Sequence, residues 1–184
     1  MLKFDSTNCF IQDFSLPSPI IRYLMINANP ENLKKLYKTC KYFYSEFQLN
    51  IVEDLILNNE ELLDKPGPYE IFLYNHQLDK LPNNLWLVRD LLIGDNLNLS
   101  QFFSKIVRCD LREIYIYVST KFTLNEFKIL TRSETVKEVF IDMPIYISYE
   151  GDEKVPLEDI LSCVLSAYRI VIDNCYVTKN TMEK

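Results

Sequence analysis

The chain has 184 residues, 48% hydrophobic and 25% charged, with 3 Gly, 12 Tyr and 11 Phe; this is the balance of a folded chain and excludes wholesale disorder. A formal net charge of -6, with Lys and Arg scattered, opposes a nucleic-acid partner, because duplex binding takes a cluster of cations to displace counterions from phosphate. Met1 to Phe14 lacks the unbroken apolar core of a signal peptide, and nowhere is there a run of ~20 apolar residues for a membrane span, so the expected compartment is cytosol or nucleus, without a membrane partner.

In chain order, the first segment reads as helical to about Asn59. Ser18-Pro19 looks like an N-cap with Pro opening the helix, and Ile20, Ile21, Leu24 and Met25 follow at helical spacing. Asn29-Pro30-Glu31 repeats the start signal. Leu33, Leu36, Tyr37, Cys40 and Tyr44 mark one helix face. Phe47, Ile51 and Leu55, with Val52 and Ile56, predict a third helix ending near Asn58-Asn59. Lys65-Pro66-Gly67-Pro68 cannot continue a helix and places a boundary there.

Beyond the break, one pattern recurs: a charged residue followed by three apolar ones. It occurs at Glu70-Ile71-Phe72-Leu73, Asp90-Leu91-Leu92-Ile93, Glu113-Ile114-Tyr115-Ile116, Glu138-Val139-Phe140-Ile141 and Arg169-Ile170-Val171-Ile172. The intervals suit the ~20–29-residue period of leucine-rich repeats, except for a longer last one. Val88, Leu91, Ile93 and Asn96 satisfy the finer L-x-x-L-x-L-x-x-N/C spacing, as do Ala167, Ile170, Ile172 and Cys175. Leu111, Ile114, Ile116 and Ser119, and Val136, Val139, Ile141 and Pro144, depart from it only at the last place. Pro68, Ile71, Leu73 and His76 fit least well. Between these strands, Asn98 with Gln101 and Thr123 with Glu126 read as capping boxes, and Pro156 opens a run with Leu157, Ile160, Leu161, Val164 and Leu165. The expected fold is α+β of the α/β solenoid type. A three-helix module over 1–65 is followed, over 66–184, by about five degenerate repeats whose strands form a parallel sheet on the concave side.

Catalytic and metal signals are weak. Cys9, Cys40, Cys109, Cys163 and Cys175 are odd in number and contain no C-x-x-C pair, so they are expected to be reduced and mostly buried. The single histidine, His76, lies in a different module from Cys40, which argues against a Cys-His pair. Lone His and unpaired Cys do not make a zinc set, and three glycines scarcely make a phosphate loop. The expectation is a non-catalytic protein with no cofactor and no metal.

The N-terminal segment resembles an F-box, the helical module that docks on the Skp adaptor of cullin-based ubiquitin ligases. Leu16-Pro17, then Ile20, Ile21 and Leu24, then Pro30 with Leu33, and Leu36, Cys40 and Tyr42-Phe43 carry the likeness. The stretch from Leu33 to Phe43 is similar to the divergent F-boxes of the large nematode family. The repeats resemble that family's C-terminal half, including Tyr149-Glu150-Gly151 followed by Val155, Leu157 and Glu158. This resemblance implies a substrate-recognition subunit with Leu16, Pro17, Ile20, Ile21, Leu24, Pro30, Leu33, Leu36, Cys40 and Phe43 on the adaptor, and through it a cullin. The other reading of these residues is that they only pack the helices together. Ser18 stands where the pattern usually has an acidic residue, and no Trp closes it, which keeps a stand-alone interaction module or decoy as the alternative function.

Tyr115, Tyr117, Phe140 and Asp142 alternate with core positions and are the candidate contacts for a protein target. Their other reading is as ordinary solvated strand residues. The acidic turn Tyr149 to Glu153 reads either as a site for something basic or as a solvated turn.

Overall fold

The computed structural model describes residues 16–58, 70–94, 97, 99–117, 122–142, 147–179 and 181. Two compact units divide between Ile51 and Val52. The boundary expected at Lys65 to Pro68 lies outside the described residues.

Among its described residues the first unit has three helices, α1 (Ser18–Asn27), α2 (Pro30–Thr39) and α3 (Lys41–Phe47). Ser18 is the first helical residue of α1 and does not cap it; Pro17 holds the cap position, its φ of -57° fixed by its own ring. Asn29 does cap α2, its side chain accepting from the Asn32 N–H at 2.8 Å. The face expected to run from Leu33 to Tyr44 breaks at Cys40, whose backbone is extended (φ -155°, ψ 133°). There the Cys40 Sγ accepts from the Tyr42 N–H and starts α3. Ile21, Met25, Leu33 and Tyr37 are buried, at the i, i+4 spacing that places two residues on one helix face. Tyr37 meets Tyr44 edge to face at 5.3 Å.

The expected third helix over Phe47 to Ile56 is not formed. Gln48 turns into the left-handed region (φ 46°) and ends α3, and strand β1 (Asn50–Asn58) follows. Ile51, Val52 and Ile56 are β-branched, which favours a strand, and Val52, Leu55 and Leu57 turn inward. Asp54-Leu55-Ile56-Leu57 is thus another copy of the charged-plus-three-apolar pattern.

Among the described residues six more strands follow: β2 (Glu70–Tyr74), β3 (Leu85–Ile93), β4 (Ile106–Cys109), β5 (Glu113–Ile116), β6 (Glu138–Ile141) and β7 (Arg169–Ile172). They form a sheet in the order β2-β1-β3-β5-β6-β7, with β4 also paired to β3. The pairings β1/β2, β3/β4, β3/β5, β5/β6 and β6/β7 are parallel. Segments 90–93, 113–116, 138–141 and 169–172 therefore lie side by side in sequence order, as expected. Segment 70–73 does not neighbour 90–93, because β1 lies between them. At that junction the Gly94 N–H donates to the Leu57 carbonyl at 2.7 Å. A Cβ on Gly94 would stand 2.6 Å from Asn58 Oδ1 and 3.3 Å from the Leu57 carbonyl oxygen, so a larger residue there would have to push the Asn58 side chain aside.

Register is uniform. Leu91, Ile114, Val139 and Ile170 share one row, and Ile93, Ile116, Ile141 and Ile172 another. Both rows turn to the core, where they meet α4 (Leu99–Lys105), α5 (Leu124–Thr131) and α6 (Leu157–Ser162) through residues such as Phe102, Phe127 and Ile160. The expected Thr123–Glu126 capping box is present, and Pro156 precedes α6. Asn98, Asn96, Ser119, Pro144 and the His76 side chain lie outside the described residues. A 3-10 helix (Asn75–Lys80) precedes β3. The Lys105 ammonium ties it down by donating to the carbonyls of Leu78, Asp79 and Leu81 at 2.9, 3.1 and 2.7 Å.

Cys109 is the one buried cysteine among the four described; Cys40, Cys163 and Cys175 are half-buried. The expectation that most are buried is therefore corrected: Cys163 and Cys175 border the partly open β7 end of the sheet. No helix among the described residues is long and apolar enough to cross a membrane.

Candidate protein-interaction surfaces

In the first unit, α1 buries Ile21 and Met25 but exposes Ile20, Tyr23, Leu24 and Ile26, with Leu16 exposed just before it. A lone exposed apolar residue means little, but a contiguous set on one helix is the mark of a contact surface. The expected adaptor contacts divide by accessibility. Leu16, Pro17, Ile20 and Leu24 are exposed, and Pro30, Leu36, Cys40 and Phe43 are half-buried. Ile21 and Leu33 are buried and hold the helices instead of facing outward. Leu24 and Leu36 meet at a groove of about 610 Å³, lined also by Ala28, Asn32, Lys35 and Thr39.

In the second unit, strand alternation sends every other side chain away from the helices. One outward row aligns Asp90, Glu113, Glu138 and Arg169, and the next aligns Leu92, Tyr115, Phe140 and Val171. Asp54 adds an acid on β1, where Arg89 holds it through two hydrogen bonds. Asp90 is half-buried between acids. Desolvation first, then Glu113 and Asp54, push its carboxyl up to about 6, against the opposing pull of Arg89 and Arg112.

The Tyr115 and Phe140 rings stack at 4.9 Å with 5° between planes. Tyr115 Oη donates to Glu113 Oε2 at 2.7 Å, which with partial burial pushes the phenol up to about 12. Arg169 lies 4.7 Å above the Phe140 ring and 3.5 Å from Glu138. Tyr117 and Asp142 continue the face as exposed residues past the strand ends; their N–H groups donate to Ile93 and Ile116. The sheet thus brings all four expected target contacts onto one face. The acidic row beside them is not visible within any one segment, where a single charge precedes three apolar residues; the strand register sets those charges in one line.

Elsewhere, Tyr149 Oη donates to Asp159, so the acidic turn is tied to α6 through its tyrosine. No group of three or more His, Cys, Asp or Glu among the described residues is arranged to hold a metal ion. The Cys109 thiol is pushed up to about 12, chiefly by burial, which disfavours a reactive thiolate. No protein-family model, curated protein or solved structure matches the chain.

Proposed function

We propose that this protein is a non-catalytic recognition subunit. The first unit docks on a Skp-type adaptor, and the outward face of the sheet captures a protein target. One observation carries the adaptor half: α1 exposes more large apolar side chains than it buries, and Leu24 opens onto a groove shared with Leu36. Water does not favour that arrangement, and an apolar helix face laid against a partner relieves it. The sheet contributes the aromatic pair Tyr115 and Phe140, with Tyr117 and Asp142 at its margin, as a target-facing surface rich in the residue types that anchor interfaces. Held in a cullin-based ligase, the protein supplies proximity and orientation while the conjugating enzyme does the chemistry.

Co-purification with a Skp-family adaptor tests this reading. Folded wild-type protein is expected to form a stoichiometric complex, and Leu24→Asp to lose it while keeping its thermal transition. A folded wild-type chain that leaves the adaptor unbound overturns the ligase role. The N-terminal segment has Ser18 in place of an acidic residue and no closing Trp, which favours a second reading, a stand-alone interaction module or a decoy or antagonist of a longer relative. That reading expects target binding without adaptor binding.

A further inference from the structure

Strand β7 ends the sheet order, and among the described residues no strand flanks its outer side. The following chain turns away: Leu157 N–H donates to the Tyr176 carbonyl, and Thr178 Oγ1 donates to Glu158. The inward rows open here. Val139 and Ile141 are exposed by 0% and 2%, whereas their row partners Ile170 and Ile172 are only half-buried. Val171 is 43% exposed and Tyr168 75%. Edge strands are commonly blunted by short length, charged side chains, proline or a bulge; Arg169 to Asp173 is short and charged at both ends but holds no proline or bulge, and its two charges are of opposite sign.

We propose that β7 pairs with β7 of a second copy of this chain, antiparallel and centred on Val171. The backbone sets the register. Arg169 and Asp173 donate their N–H groups toward β6, to the carbonyls of Lys137, just before that strand, and of Ile141 at its end, so the alternate residues Ile170 and Ile172 direct their N–H and C=O groups to the open edge. Centring on Val171 places Ile170 opposite Ile172 of the other copy, twice, as hydrogen-bonded pairs. Val171 then faces its own copy in a closer, non-hydrogen-bonded pair. Arg169 falls opposite Asp173 of the second copy, also twice, with both side chains exposed on the outward face. The segment Arg169-Ile170-Val171-Ile172-Asp173 is thus self-complementary in charge, in apolar burial and in backbone polarity, as a two-fold contact requires. Arg169 keeps its place over Phe140 and gains a second carboxylate. This pairing is independent of adaptor binding.

The experiment is the molar mass of the full chain in solution by light scattering and sedimentation, at a concentration on the order of 100 µM. Wild-type protein is expected to be dimeric. Asp173→Arg and Arg169→Asp each place like charges across the pair and are expected to weaken dimerisation by about tenfold or more. The double swap, Arg169→Asp with Asp173→Arg, restores opposite charges and is expected to restore the dimer. Circular dichroism of each variant separates lost pairing from lost fold, and Asp173→Arg leaves the Arg169–Glu138 contact in place. A monomeric wild-type chain overturns the proposal. So does a dimer that both single variants leave intact, or a folded double swap that stays monomeric.

Discussion

Asp90 and Glu113 stand opposite each other on the neighbouring parallel strands β3 and β5, two acids on one face where like charges oppose pairing. The folded state raises the Asp90 carboxyl to about 6 from an ordinary value of 3.8. Between those values the folded chain binds more protons than the unfolded one, so stability falls as pH rises through the window. Asp90→Asn removes that loss. The variant is expected to be more stable than wild type at neutral pH by about 1 kcal/mol, after allowing for solvent screening, and to match it near pH 4. Urea denaturation at the two pH values measures the difference. A variant less stable than wild type at neutral pH sinks the argument.

The Tyr115–Phe140 stack makes a separate forecast, because Phe140 also lies beneath Arg169. Phe140→Leu keeps an apolar side chain but loses both ring contacts, at a cost of about 1–2 kcal/mol. Part of that cost should vanish when Tyr115 is already Leu, since the stack is then gone. A double-mutant cycle reads the coupling; additive effects would show that the stacked geometry contributes nothing.

The sheet was legible in the sequence where charge and apolar residues repeat in phase, and the uniform register from Asp90 to Arg169 follows from that phase. Asp54-Leu55-Ile56-Leu57 was not read, because Phe47, Ile51 and Leu55 also fit the i, i+4 helix spacing and a short apolar run does not distinguish the two. The β-branched Ile51, Val52 and Ile56 were the available signal. β4 was hidden for a similar reason: Ile106 completes the apolar pattern of α4, and the chain passes from helix to strand without an intervening residue. In the first unit the apolar positions were readable, but their direction was not. Ile20 and Ile21 are adjacent and chemically alike, and only the packing decides that Ile21 is buried and Ile20 faces outward.

Thr123 and Glu126 start α5 with a reciprocal box. Glu126 N–H donates to Thr123 Oγ1 at 3.2 Å, and Thr123 N–H donates to Glu126 Oε2 at 2.7 Å. Thr123→Ala leaves an N-terminal donor of α5 without its side-chain acceptor and is expected to cost about 1 kcal/mol. Thr123→Ser retains the hydroxyl and should cost markedly less. Equal losses in thermal denaturation would place the effect in the lost methyl group and not in the cap.

Trp86 is fully buried, so its indole N–H must find an acceptor within the fold. Asp110 Oδ2 supplies it at 2.8 Å and also accepts from Arg108 Nε at 2.8 Å; Arg108 in turn lies 4.0 Å over the indole ring. Asp110→Ala removes the acceptor shared by both donors and leaves the buried one unpaired, at an expected cost of about 2 kcal/mol. Asp110→Asn keeps a carbonyl oxygen and should recover much of it while losing the ion pair with Arg108. The chain has one tryptophan, so its fluorescence follows this site alone. Asn is expected to preserve the emission of a buried indole up to a higher urea concentration than Ala. Indistinguishable unfolding midpoints for the two variants would show that the ion pair, and not the indole hydrogen bond, is what Asp110 contributes.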